Sequence, residues 1–225
     1  MAHAGICSRR KAETLIQAGR VTVNGETVQQ LGTKVMPGTD KVVCDGKPVR
    51  LPGSRRQFTY IAVNKPKGVV TTCAQDRAAI ILDLVPVKQR IYPVGRLDKD
   101  SIGLVLLTDD GNLHNRLSHP SHNHEKEYLV TCGAPVLDKD LEAMAAGMVI
   151  CKKKTRSAQV FRTAENSFRI ILKQGVNRQI RKMVGLTGNR VTMLKRIRMA
   201  NVTLGSLKPG KWRYLTREEV KNLTQ

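Results

Sequence analysis

The apolar run at residues 104–108 constrains the fold more than any other part of this chain. It follows Gly103, ends at Asp109 and is too short for a typical helix, so it predicts an almost fully buried strand. Further strand-like runs lie at 60–64, 69–72, 128–131 and 168–172, and short helical patterns lie at 78–84, 111–118, 138–146 and 177–186. Because strands and helices do not alternate strictly, we expect an α+β fold with a mixed, largely antiparallel sheet.

The first 50 residues have the pattern of a small unit of their own. Ser8 can cap a helix over 9–18, which Gly19 would end. Asn24-Gly25 lies between two short alternating runs and predicts a hairpin, and a further strand is expected at 41–44.

Pro-Gly followed by charged residues at 51–57 has the composition of a linker. The sequence therefore predicts a small domain at 1–50 and a larger one at 58–225.

The charge of the chain indicates a polyanionic partner. It has 39 Lys and Arg against 18 Asp and Glu, a net charge of +21. Cations cluster at the start of the first helix and just after its end, at Arg9, Arg10, Lys11 and Arg20. Cations at a helix N-terminus are unfavourable for the helix dipole, so their presence there needs another explanation. Contact with RNA phosphate is one explanation, and a solvated charged turn is the alternative. No apolar run approaches the roughly 20 residues needed to span a bilayer.

The cysteines and histidines give little support for a metal or a cofactor. The five cysteines are scattered and never spaced C-x-x-C, which indicates reduced thiols inside a cell. Four histidines (His114, His119, His122 and His124) fall close together, but without the spacing of an ordered zinc site. No G-x-G-x-x-G is present. We expect no metal, no cofactor and a polar, RNA-facing histidine loop.

The loop at 95–101 contains both acidic and basic residues directly before the buried strand. Arg96 and Lys99 flank Asp98 and would favour its ionised form. An ionised, rigidly held carboxylate suits covalent catalysis. An ordinary structural salt bridge is the alternative.

A second basic cluster lies near residue 180. On a helix over 177–186, Arg178, Arg181 and Lys182 would share one face, opposite an apolar one. The following strand-like alternation would place Arg196 and Arg198 together on one face. The cluster predicts a basic ridge for RNA, with a solvated face as the alternative.

With several further motifs, these residues give the chain a resemblance to a known family. It resembles the bacterial-type ribosomal RNA pseudouridine synthases that carry an N-terminal alpha-L RNA-binding domain, like that of ribosomal protein S-four. The motifs are Ser8-Arg-Arg-Lys-Ala-Glu, Gly19-Arg-Val-Thr-Val-Asn-Gly25, Asn64-Lys-Pro-Lys-Gly68, Gly95-Arg-Leu-Asp98, Glu125-Lys-Glu-Tyr128, Asn177-Arg-Gln-Ile-Arg181 and Gly210-Lys-Trp-Arg-Tyr. The form around Tyr128 is most similar to the branch acting on large-subunit rRNA.

The resemblance implies a role for individual residues. Asp98 would be the nucleophile that attacks the target uridine, Tyr128 would stack on the base and remove a proton, and Arg181 would pair with Asp98. Leu194 would line the pocket. The remaining expected contacts to substrate or RNA are Arg96, Arg178, Gln179, Arg196, Lys65 and Lys67. The reaction is an isomerisation, so the resemblance implies neither a metal nor a cofactor.

Other functions stay open at this point. A non-catalytic RNA-binding factor of ribosome assembly would keep the fold without the chemistry, and a synthase acting on tRNA would share the chemistry. A zinc-dependent RNA hydrolase built on the histidines is a third alternative. We expect a monomer that acts on rRNA, free or in a pre-ribosomal particle, in a bacterial cytoplasm by default or in an organelle matrix or stroma.

Overall fold

The computed structural model describes residues 1–51, 57–74, 78–118 and 123–224. The chain divides into two compact units, Met1–Phe58 and Thr59–Gln225. Most of the predicted linker, 52–56, lies outside the described residues. Within the described ranges, no helix is both long and apolar enough to cross a membrane.

The N-terminal unit consists of one helix and a small antiparallel sheet. Its elements are α1 (Arg9–Gln17), β1 (Val21–Val23), β2 (Glu26–Thr27), β3 (Val42–Cys44) and β4 (Lys47–Pro48), with strand order β2-β1-β3-β4.

Local sequence signals explain both the helix and the hairpin of this unit. Ser8 Oγ accepts a hydrogen bond from the Lys11 amide at 3.2 Å, and Gly19 follows the helix at φ +67°. Asn24 and Gly25 both have positive φ, as the tight turn between β1 and β2 requires. The predicted cap, helix and hairpin are confirmed.

The second unit contains most of the regular structure. Its strands are β5 (Tyr60–Lys65), β6 (Tyr92–Val94), β7 (Ile102–Thr108), β8 (Lys126–Cys132), β9 (Val149–Ile150), β10 (Lys153–Lys154), β11 (Gln159–Ala164), β12 (Ser167–Leu172), β13 (Val191–Met199), β14 (Val202–Thr203) and β15 (Trp212–Tyr214). Its helices are a 3-10 turn (Ile81–Leu84), α2 (Gly111–Ser118), α3 (Asp138–Ala146), α4 (Gln179–Leu186) and α5 (Arg217–Thr224).

One large mixed sheet organises this unit. Within the described residues its strand order is β11-β12-β8-β13-β7-β5-β15, with β14 paired to β13 and β6 paired to β7. Only β13 and β7 pair in parallel among these strands. The α+β architecture with a mixed, largely antiparallel sheet is confirmed.

Strand β7 is buried on both faces, as its apolar run predicts. Leu104 and Leu106 belong to one hydrophobic cluster, while Val105 and Leu107 belong to another. Because successive side chains of a strand point to opposite faces, the two clusters cover the two sides of the sheet. This burial fixes the strand that directly follows the Asp98 loop.

Two predicted elements near residue 75 are wrong. The run 69–72 forms only a single bridge, between Val70 and Ile80, and the helix expected at 78–84 is reduced to the 3-10 turn. The reason is tertiary. The Val70 backbone forms hydrogen bonds with Ala79 and Ile81, and the Thr71 side chain donates to the backbone of Leu97. These contacts take the place of a regular strand at 69–72 and of a longer helix at 78–84.

A bulge in β13 changes which side chains share a face. Arg196 lies opposite Tyr128, and Arg198 lies opposite Glu127, with an irregularity at Ile197. Tyr128 and Glu127 are adjacent in β8 and therefore face opposite sides of the sheet. Arg196 and Arg198 consequently lie on opposite faces, so their predicted common face is wrong, because the extra residue of a bulge resets the alternation.

Candidate active site

A cavity of about 240 Å³ in the second unit brings the candidate residues together. The loop before β7, the strands β8 and β13 and the start of α4 contribute its walls. The side chains that line it include Arg96, Asp98, Tyr128, Arg178, Gln179, Leu194 and Arg196. Residues far apart in sequence therefore meet in one pocket.

The backbone of the Asp98 loop is held on both sides of the carboxylate. Thr71 Oγ1 donates to Leu97 O at 2.9 Å and accepts from Leu97 N at 3.3 Å. Lys99 O accepts hydrogen bonds from Gly68 N at 2.9 Å and from Lys65 Nζ at 3.4 Å. The Asp98 carbonyl accepts from the Ser101 amide at 3.0 Å. These contacts fix the backbone that carries the carboxylate.

Lys65 supports this loop and does not contact RNA. Its side chain is fully buried, and Nζ also donates to the carbonyls of Pro66 at 3.0 Å and Val69 at 2.9 Å. Burial lowers the pKa of Lys65 to about 8, against the opposing effect of the nearby Asp100 and Asp98 charges. The prediction of Lys65 as an RNA contact is wrong, because a lysine in this sheet position has no access to solvent.

Arg178 forms the ion pair with Asp98. Its Nη1 lies 3.7 Å from Asp98 Oδ2, and both side chains are partly exposed. Arg178 is not in the first turn of α4. It caps that helix in the left-handed conformation, at φ 53° and ψ 34°, which is uncommon for a residue other than glycine. The local backbone thus differs from the continuous helix that the sequence predicts.

Arg181 does not pair with the Asp98 carboxylate, which corrects the expectation drawn from the resemblance. Within the described residues its Nη2 donates to Asp100 O and to Ser101 Oγ, both at 3.4 Å, and its Nη1 donates to Val191 O at 3.2 Å. Arg181 therefore links α4 and β13 to the end of the Asp98 loop. The helix begins two residues later than predicted, which leaves Arg178 outside its first turn, so the expected common face of Arg178 and Arg181 is not formed.

Tyr128 and the neighbouring strand form another wall of the pocket. Tyr128 and Arg196 are directly opposite each other in β8 and β13, and Leu194 lies two residues before Arg196. Leu194 and Arg196 are both buried. Gly103 makes the approach of β13 possible, because a Cβ there would lie 2.2 Å from the Arg196 carbonyl oxygen.

The other predicted contacts are mostly at the surface. Arg96 and Lys67 are exposed, as are the four N-terminal cations (Arg9, Arg10, Lys11 and Arg20), although Arg20 forms a 2.6 Å ion pair with Asp45. Gln179 is buried, and its Oε1 accepts a hydrogen bond from the Val176 amide at 3.2 Å.

The histidines occupy different surroundings. His114 is on α2, where its ring and the ring of Tyr92 form a T-shaped contact, and burial lowers the pKa of His114. His124 lines the pocket. His119 and His122 lie outside the described residues. In the described part of the chain, no group of three or more His, Cys, Asp or Glu is placed to hold a metal.

Lys126 and Met199 are among the pocket residues that sequence reasoning missed. Lys126 could have been predicted from the sequence, because it lies two positions before Tyr128 and therefore faces the same side of β8. Burial and then the charge of Arg196 lower the pKa of Lys126. Met199 reaches the pocket face only because of the bulge, which the sequence did not indicate.

Comparison with known proteins agrees with this geometry. Residues 59–185, more than half of the chain, match the RNA pseudouridylate synthase family, and residues 1–41 match the S4 domain. The chain therefore belongs to the RNA pseudouridylate synthase family.

Full-length relatives extend the similarity to both units. The chain is 41% identical over 223 residues to the dual-specificity RNA pseudouridine synthase RluF of Salmonella typhi, covering 99% of this chain and 76% of the relative. It is 36% identical to the ribosomal large subunit pseudouridine synthase B of Bacillus subtilis, covering 99% and 93%. A crystal structure of a pseudouridylate synthase matches with a TM-score of 0.72 at 30% identity, covering 99% of this chain and 96% of the other.

Proposed function

We propose that this protein isomerises uridine to pseudouridine in the RNA of the large ribosomal subunit. The observation that carries the proposal is the pocket in which a rigidly held, partly exposed Asp98 lies with Tyr128 and Arg178. Similarity to the Bacillus subtilis relative, whose name specifies the large subunit, supports the choice of RNA.

In the proposed reaction Asp98 acts as the nucleophile. A carboxylate oxygen attacks C1′ of the uridine, and the N1–C1′ bond breaks with its electron pair passing to the uracil ring. The uracil turns within the pocket, C5 bonds to C1′, and the carboxylate leaves. Tyr128 takes the proton from C5, and N1 gains a proton. Atoms and electrons balance, so product and substrate are isomers.

We assign RNA binding to the exposed cations of both units. A base in structured RNA must leave its stack to enter the pocket, at a cost of a few kcal/mol. Phosphate contacts supply sequence-independent affinity that offsets this cost. Arg96 and Arg178 are exposed at the pocket, and residues 9–11 are exposed on α1. The N-terminal unit would thus contribute affinity while the second unit contributes chemistry.

The proposal includes the setting of the reaction. The relatives described above are bacterial proteins, which supports a bacterial cytoplasm. We further propose a monomeric enzyme that meets its substrate as free rRNA or in a pre-ribosomal particle.

The decisive variant is Asp98→Asn, with Asp100→Asn as the matched control. An amide is a poor nucleophile, so Asp98→Asn should abolish pseudouridine formation on rRNA. The measurement is liquid chromatography of RNA digested to nucleosides, which separates the two isomers by retention time. Asp100 is exposed in the same loop, and its side chain has no assigned role.

Both variants should fold. The Asp98–Arg178 pair is solvent-exposed and 3.7 Å long, and such pairs contribute about 0–1 kcal/mol. Melting temperatures near that of the wild type would verify this. Conversion of uridine by folded Asp98→Asn, or an equal loss in Asp100→Asn, contradicts the assignment.

A second candidate is activity on more than one RNA class. It is favoured by the similarity to a relative that is named a dual-specificity RNA pseudouridine synthase. Rates on large-subunit rRNA fragments and on a tRNA pool, measured side by side, test it. Modification of rRNA alone would reject this candidate and leave the first one intact.

A further inference from the structure

Arg196 is a buried cation without an ionic partner. It is 1% exposed, its Nε donates to Leu104 O at 2.6 Å, and its Nη2 has no hydrogen-bond partner among the described residues. No carboxylate in the described part of the chain forms a salt bridge with it. An unpaired buried charge lowers the stability of the folded protein, which indicates that Arg196 interacts with a bound ligand.

The position of Arg196 relates it to the base and not to the RNA backbone. It lines the pocket and lies directly opposite Tyr128, the residue proposed to stack on the uracil. An exposed cation, Arg96, is available at the same pocket for phosphate. A phosphate that reached the depth of Arg196 would have to lose most of its hydration, which is costly for a permanent anion.

Uracil differs from phosphate because it becomes charged only during the reaction. It enters as a neutral base and gains a negative charge, shared by its ring nitrogen and carbonyl oxygens, as the N1–C1′ bond breaks. A fixed cation that is itself buried stabilises such a developing charge more than it stabilises the neutral ground state.

We infer that Arg196 is a catalytic residue that stabilises the uracil anion as it leaves C1′, through the guanidinium that no other described side chain pairs. This inference rests on the proposed function, and it names the residue that provides electrostatic stabilisation in that reaction. The electron pair of the broken bond stays on the uracil ring until C5 attacks C1′. Arg196 transfers no proton and forms no bond.

The test compares Arg196→Met on two transcripts of the same rRNA, one containing uridine and the other 5-fluorouridine throughout. Fluorine withdraws electrons and already stabilises the leaving anion, so the enzyme has less charge to stabilise. With uridine, the single-turnover rate of glycosidic-bond cleavage should fall by roughly 10²–10³-fold, as when an oxyanion-hole donor is removed. With 5-fluorouridine the loss should be about tenfold smaller. RNA affinity should not change.

Arg198→Met is the matched control, because Arg198 lies two residues away on the opposite face. It pairs with Glu127 at 2.6 Å and with Glu125 at 3.0 Å. The Arg198→Met variant should have a lower melting temperature. Any change in its cleavage rate should be the same with uridine as with 5-fluorouridine. Should Arg196→Met not fold, Arg196→Lys replaces it. Lysine retains the charge without the guanidinium geometry, so a smaller rate loss is expected with uridine and a still smaller one with 5-fluorouridine.

Equal rate losses on the two transcripts would overturn the inference, and so would weaker RNA binding with an unchanged single-turnover rate. Failure of the wild type to form pseudouridine in any RNA is a different result, which rejects the proposed function itself.

Discussion

Replacing Lys65 by methionine should change how the stability of the protein depends on pH. Lys65 is fully buried, and its pKa is lowered to about 8 from an ordinary 10.5, chiefly by burial. Between these two values the unfolded chain binds a proton that the folded chain does not bind. Stability therefore rises with pH as Lys65 loses its proton in the folded state.

The size of the effect follows from the two pKa values. Between pH 7 and pH 10 this single lysine should add roughly 2.5 kcal/mol to the free energy of unfolding. Other groups titrate in the same range, such as Cys44 and Cys132, whose pKa values are raised by burial. They are common to both proteins, so the difference between wild type and Lys65→Met isolates the lysine.

The assay is urea unfolding of wild type and Lys65→Met at several pH values between 7 and 10, with a reductant present. The stability difference between them should shift by about 2.5 kcal/mol in favour of the wild type as the pH rises. Lys67→Met, two residues away and exposed, should give a curve parallel to that of the wild type. Parallel curves for Lys65→Met as well would refute the reasoning, because the pKa of the lysine would then be the same in the folded and unfolded chains.

Two further predictions concern catalysis and RNA binding. Tyr128→Phe retains a ring that can stack but lacks the proton acceptor, so RNA affinity should persist while the single-turnover rate falls by roughly 10²–10⁴-fold; near-normal turnover would leave Tyr128 as a stacking residue only. Replacing the exposed cations 9–11 with alanine should weaken RNA binding and lower the slope of log K against log salt, by about 0.7–0.9 for each phosphate that the protein no longer neutralises; an unchanged slope would remove them from the RNA-binding surface.

Local signals in the sequence determined several elements directly. Ser8 caps α1, Asn24-Gly25 turns the first hairpin, and the apolar run at 104–108 forms a strand buried on both faces. Each depends on contacts or periodicity within a few residues, so the information is present in the sequence itself. The family motifs also directed attention to Asp98 and Tyr128, which the structure places in one pocket.

The tertiary structure decided what the charged residues near that pocket do. Lys65 and Lys67 are two residues apart and alike in sequence, yet one is fully buried under the Asp98 loop and the other is exposed. The left-handed conformation at residue 178 determines which arginine reaches Asp98. The bulge at 197 places Arg196 on the pocket face and Arg198 on the opposite face. Burial, helix starts and bulges depend on contacts between distant segments, which the period of a single segment does not encode.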